Sequence, residues 1–225
     1  MKDTFAIEPP VYFPILSYCA LMASVDGFVV GDTFQYSRQS FQNRARVRSP
    51  DGAQWLTIPL VGGQHGNRIS ETRIDYSFHW QKKHLKALQF NYGSTPFFEH
   101  YVDDISSIIE TEHDSLAELT VATVVLTHKL LGFESKIEKE SLERPGQNRS
   151  TTETEYLFAR EGQKELQGEN ESAPNRRFLS FEHPVYRQNF DGFVKGMTML
   201  DLLFSHGPEA PRILRSGISF ERAEG

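Results

Sequence analysis

Two short apolar runs, with an amphipathic stretch between them, constrain this chain most. Phe5-Ala6-Ile7 stops at Glu8-Pro9-Pro10, where the prolines cannot continue a strand ladder. Pro14 then stands at a helix start, and Ile15, Tyr18, Cys19 and Met22 recur at i, i+3, i+4 and i+7, one face of an α-helix. Gly27 introduces Phe28-Val29-Val30-Gly31-Asp32, a run without alternation that fits a strand covered on both faces. Strand, helix and strand within fewer than thirty residues predict a crossover between two parallel strands. Both runs end in a carboxylate, Glu8 and Asp32, and open α/β sheets bind ligands outside the carboxyl ends of their strands.

The stretch that follows, Thr33 to Arg48, carries Arg38, Arg44, Arg46 and Arg48 and no carboxylate, inside a chain of formal net charge -6. From Asn43 onward it alternates, so a strand would put Arg44, Arg46 and Arg48 on one face and Ala45 and Val47 on the other. Like charges at neighbouring same-face positions repel, so carboxylates from elsewhere or an anionic ligand are expected opposite them. Tyr36, Gln39 and Asn43 favour a polar binding site. Ser49-Pro50-Asp51-Gly52 is a turn, and Gln54 to Ile58 reads as the returning strand of a hairpin. The glycine-rich Val61 to Asn67 lacks the lysine and spacing of a phosphate loop. Arg68 to Tyr76 reads as a further short strand.

A cluster of helices occupies the middle of the chain. From His79 to Tyr92 the helical wheel turns Lys82, Lys83 and Lys86 outwards and sets His84 and Asn91 among Trp80, Leu85, Leu88 and Tyr92 on the inner arc. A buried histidine of this kind is more often a core residue than a catalyst, and it needs a hydrogen-bond partner. Phe98 to Ile109 keeps the helical period. Ser115 and Glu118 form a capping box for Leu116 to Leu131, which Gly132 ends. Residues 143–175 are poor in large apolar side chains and read as a flexible insertion in which Tyr156-Leu157-Phe158 docks briefly. Arg177 to Phe181 is a predicted strand, and Thr198 caps a helix through Phe204. The predicted fold is α/β: a mixed sheet with an N-terminal strand-helix-strand crossover, a hairpin and the helix cluster, in one domain over residues 1–225.

An acidic chain with pI near 5.8 lacks the basic field that general nucleic-acid or membrane-surface affinity requires. One cysteine, Cys19, excludes an internal disulfide and a cysteine-rich zinc site. No run approaches the roughly 18 uncharged residues of a membrane span. A cytoplasmic protein with no cofactor and no metal is expected.

Taken in order, Pro9, Tyr12-Phe13-Pro14, Tyr18, Asp26, Asp32, Gln35-Tyr36, Asn43-Arg44, Trp55 with Pro59, Trp80-Gln81-Lys82-Lys83-His84, Pro96-Phe97-Phe98, Pro184 to Gln188 and Leu200 to Glu209 resemble the WbqC-like protein family. This is a bacterial group found among surface-polysaccharide genes. The resemblance implies a part in making unusual sugars or their acyl substituents for O-antigen or capsule, as a transferase. Two departures stand out. Glu8 occupies a position where the family usually has glutamine, and residues 143–175 lack the glycine and tyrosine motif of longer relatives.

The expected substrate is a small anionic molecule, a nucleotide-activated amino sugar. Arg44 and Arg46 would hold its diphosphate bidentately, and Asp32 or Glu8 would act as general base, with His84 orienting or relaying the proton. Tyr12, Tyr36, Arg38, Asn43, Lys83 and Asp201 complete the expected ligand-binding set. The alternatives are a nucleotidyl transferase or ligase, a nucleic-acid-binding module stacking bases on Tyr36, Phe41 and Trp55, and a catalytically silent assembly protein of the same pathway.

Overall fold

Strand β1 (Thr4–Glu8) pairs in parallel with β2 (Gly27–Val30) across helix α1 (Leu16–Met22), in register from Phe5 opposite Gly27 to Glu8 opposite Val30. This is the predicted crossover. Gly27 is needed there because a Cβ would fall 2.2 Å from the Phe5 ring. The structure, a computed structural model, describes residues 3–64, 66–140, 155–159 and 176–220. Among these, β5 (Lys136–Lys139), β6 (Glu155–Ala159), β7 (Arg176–Phe181) and β8 (Ile218–Phe220) extend the sheet in the order β5-β2-β1-β6-β7-β8. All neighbours are parallel except β7 and β8, so the sheet is mixed, as expected. Strand order reverses between β1 and β6.

Some details differ from the sequence reading. Residues 155–159, within the segment expected to be a flexible insertion, form a strand between β1 and β7 with Leu157 buried. The rest of residues 143–175 lies outside the described residues. Arg68 to Tyr76 is no strand: it consists of 3-10 turns at Ile69–Glu71 and from Tyr76, with single bridges Gln35 to Arg68 and Leu60 to Ile74. Its apolar positions, Ile69 and Ile74, are spaced by turns that bury both without a ladder.

Helix α4 (Leu116–Leu130) is apolar nearly all round and packs on α3 (Phe98–Glu110), which also meets α2 (Trp80–Tyr92) and α5 (Met199–His206). Each Leu or Val fully buried in this cluster contributes about 1.5–3 kcal/mol. The Ser115 hydroxyl accepts from the Glu118 main-chain N–H at 3.2 Å, fixing the start of α4. Midway along it, Thr123 Oγ1 donates to the Val11 carbonyl at 2.9 Å and accepts from the Phe13 N–H at 3.2 Å. Phe13 has φ of 52°, so a non-glycine residue is held in the left-handed region by ties on both sides.

The predicted hairpin is a separate two-stranded sheet, β3 (Arg44–Ser49) and β4 (Gly52–Thr57), with Arg46 opposite Trp55. Its inner face, Ala45, Val47 and Leu56, is buried, and β3 packs on α2 and α5. Asn91 on α2 donates from Nδ2 to Gln54 Oε1 at 2.9 Å, which pins the hairpin laterally. The last helix, α6 (Ala210–Arg215), packs on α1 and α5 and leads into β8.

Candidate functional site

The carboxyl edge of the parallel strands carries Glu8, Asp32 and Glu140. Asp32 follows β2 directly and is 7 % exposed. Beside it the Thr33 hydroxyl donates to Glu140 Oε2 at 2.5 Å. Where many α/β sheets open a phosphate cradle after the first strand, residues 9–14 here are all buried. The Pro14 carbonyl accepts from the Met199 N–H at 2.7 Å, and Ile15 bridges to Thr198. The start of α1 is therefore covered by protein, and an anion has to be bound elsewhere. Asp32 and Tyr36 are four positions apart, a reach of at most about 14 Å.

The hairpin's outer face supplies cations. The three arginines do share it, yet their surroundings differ. Arg44 Nε donates to the Ser40 carbonyl at 3.1 Å and Nη2 donates to the Gln39 carbonyl, while its guanidinium carbon lies 4.4 Å from the centre of the Trp55 ring. Arg46 is half-buried, lies 5.9 Å from the same ring centre, and has a desolvated Nε with no hydrogen-bond partner. A Cβ on Gly196 would sit 3.1 Å from Arg46 Nη1, and Gly196 has φ of 80°, so only glycine fits against that guanidinium. Arg48 is 3 % exposed and bonds main-chain carbonyls: Ser49, Gly52 at 3.0 Å and Asp191 at 2.6 Å. Residues 188–196 thus cover the Arg48 end of this face. The Arg44 end stays open.

Tyr36 and Arg38 join that open end. Burial raises the Tyr36 pKa, and the charges of Arg38 and Arg44 act against the rise, which places all three side chains within one electrostatic neighbourhood. No described carboxylate forms an ion pair with Arg38, Arg44 or Arg46. Of the ligand-binding residues expected from sequence, the fold brings together Tyr36, Arg38, Arg44 and Arg46. Asn43 instead completes the hairpin, donating from Nδ2 to the Ile58 carbonyl at 3.0 Å while its own carbonyl accepts from the Ile58 N–H.

The remaining expected residues lie apart. Tyr12 has no exposed surface, and its hydroxyl is 3.0 Å from His84 Nδ1. Burial lowers the His84 pKa to about 4, opposed by a hydrogen bond to the Thr57 main chain, so the ring is neutral at pH 7. His84 therefore has the partner a core histidine requires, and Trp80 packs edge-on against it at 5.0 Å. Lys83 is exposed. Asp201 is fully buried: Tyr92 donates to Oδ1 at 3.0 Å, and Tyr186 and Gln188 each donate to Oδ2 at 2.8 Å. Desolvation raises the Asp201 pKa, while those three bonds and the Arg48 charge hold it down. This carboxylate locks residues 186–188 to α2 and α5.

Trp55, expected from sequence only as a stacking platform of the nucleic-acid alternative and outside the expected ligand-binding set, also belongs to this face. It exposes 42 % of its surface at the centre of the arginine face, with Phe41 at 5.4 Å. Its signal in the sequence was an aromatic side chain on the strand returning beside the arginines.

Fold and surface together define an α/β protein with an open, mostly parallel sheet and an arginine-bearing hairpin laid over its helices. The chain belongs to the WbqC-like protein family, whose profile matches residues 9–213. It is 30 % identical over 226 aligned residues to the uncharacterized protein Rv1507c of Mycobacterium tuberculosis, covering 93 % of this chain and 96 % of that protein. No solved structure matches it significantly. Among the described residues no helix is long and apolar enough to cross a membrane, and no three His, Cys, Asp or Glu side chains converge as a metal site.

Proposed function

We propose that this chain is a group transferase acting on a nucleotide-activated amino sugar in surface-polysaccharide biosynthesis, with Arg38, Arg44 and Arg46 holding the diphosphate. The observation that carries the reading is the arginine cluster itself, which has no described carboxylate opposite it in a chain of net charge -6. Arg46 makes no side-chain hydrogen bond or ion pair with a described residue, which supports an anionic partner for its guanidinium. Family membership supports the pathway, through the association with surface-polysaccharide genes that the resemblance implies. In this reading Asp32, at the carboxyl edge, accepts the proton of the attacking amine or hydroxyl, and Glu8 is the alternative base. His84 is left out, because it is buried and bonded to Tyr12 within the core.

A thermal-shift screen with nucleoside diphosphates and nucleotide sugars tests the substrate class, since a ligand of the native state raises its stability. Arg46→Ala should remove the shift, and Asp32→Asn should keep binding and lose turnover. If no nucleotide sugar shifts the parent chain, the reading fails. Tyr36, Phe41 and Trp55 beside the arginines also favour single-stranded nucleic acid as a second reading. Steep loss of oligonucleotide binding with salt, together with indifference to nucleotide sugars, would select it.

A further inference from the structure

We propose that the exposed indole of Trp55 is the platform on which the nucleobase of the activated sugar stacks; this rests on the diphosphate reading above. Trp55 is fixed before any ligand arrives. Its strand pairs it with Arg46, the Arg44 guanidinium lies 4.4 Å from the ring centre, and Arg44 is itself tied to the Ser40 and Gln39 carbonyls. Phe41 closes on it at 5.4 Å. Burying such a ring against a ligand loses little side-chain freedom, because the freedom has already been lost on folding. Yet 42 % of its surface remains exposed, beside Arg44 and Arg46. A diphosphate on Arg38 and Arg46 puts the adjoining ribose and base beside this surface.

The stacked guanidinium also selects which part of the ligand the indole takes. A cation over the ring withdraws electron density from it, which weakens attraction for the polarised C–H bonds of a sugar ring and favours a planar ring bearing carbonyl oxygens. Because every base has a π-face, the platform accepts more than one nucleobase, with a gain per base on the scale of base–aromatic stacking.

The test uses the full chain and three probes, UDP, GDP and pyrophosphate, titrated by calorimetry and by tryptophan fluorescence. The chain has two tryptophans, and Trp80 is 2 % exposed, so quenching by a soluble base reports mainly on Trp55. Both nucleotides should bind at least fivefold tighter than pyrophosphate and quench the fluorescence. In Trp55→Ala the advantage over pyrophosphate should fall toward one, and Trp55→Phe should restore part of it. Equal binding of nucleotide and pyrophosphate without quenching overturns the platform and leaves the diphosphate site standing. An advantage that survives in Trp55→Ala likewise overturns it. Failure of all three probes to bind removes the diphosphate reading, and this proposal with it.

Discussion

The Tyr12 hydroxyl lies 3.0 Å from His84 Nδ1, joining the loop after β1 to the middle of α2 across 72 positions of sequence. The burial of His84 behind this contact couples stability to pH. Burial holds the His84 pKa at about 4, below its ordinary value of 6.5, so folding favours the neutral ring. The unfolded chain then binds the extra proton first. His84's contribution is complete above pH 6.5 and is lost as pH falls through 6.5 toward 4, at about 1.4 kcal/mol per unit, or roughly 3 kcal/mol in all. Urea unfolding at pH 4.5 and 7.5 should show this extra loss in the parent chain relative to His84→Gln. Parallel pH profiles would remove His84 as its source.

Arg46 and Arg48 share a strand face but should separate in function. Arg46→Ala removes a guanidinium with no hydrogen bond to a described residue, so it should weaken an anionic ligand by about 1.5–3 kcal/mol while barely moving the melting temperature. Arg48→Ala strips the Ser49, Gly52 and Asp191 carbonyls of a buried donor and should cost roughly 2–4 kcal/mol of stability. Melting curves and pyrophosphate titrations on both variants check the contrast, which collapses if Arg46→Ala is the less stable of the two.

Asp201→Ala leaves Tyr92, Tyr186 and Gln188 without their shared acceptor inside the core. A loss of about 3 kcal/mol is expected. Asp201→Asn, which keeps one acceptor oxygen and the volume, should lose less. Denaturant midpoints of the two variants give the comparison, and equal losses would mean that the hydrogen bonds carry little of the effect.

Deletion of residues 143–175 would be harmless if that whole segment were a flexible insertion. The structure leads to the opposite expectation, because β6 pairs with both β1 and β7 and buries Leu157. The truncated chain should fail to fold by circular dichroism. A cooperative unfolding transition in it would show that β1 and β7 do not need the strand between them.

Much of this was legible in the residues. The strand-helix-strand opening, the hairpin and its turn, the inward turn of His84 and Asn91, and the capped apolar helix α4 all rest on local periodicity or on turn and cap chemistry, which a dozen neighbouring residues encode. Strands β5 and β8 were not legible: Lys-Ile-Glu-Lys and Ile-Ser-Phe are too short to show a period and are strands because a neighbour offers a ladder. The same holds for β6, which looks like loop until it is seen between two partners.

For the site, sequence alone determined that arginines gather on one strand face without local carboxylates. It could not distinguish the arginine that serves the fold from those left facing solvent. Arg48 is buried because residues 188–196 return across it, whereas Arg46, although Gly196 lies against it, stays half-buried and makes no side-chain hydrogen bond to a described residue. Tyr12 and Asp201 went inside for a similar reason, each meeting partners far along the chain. Whether a polar side chain binds a ligand or holds the core depends on what packs over it. That covering comes from distant segments, whose approach is set by the burial of the whole chain and not by the residues beside the site.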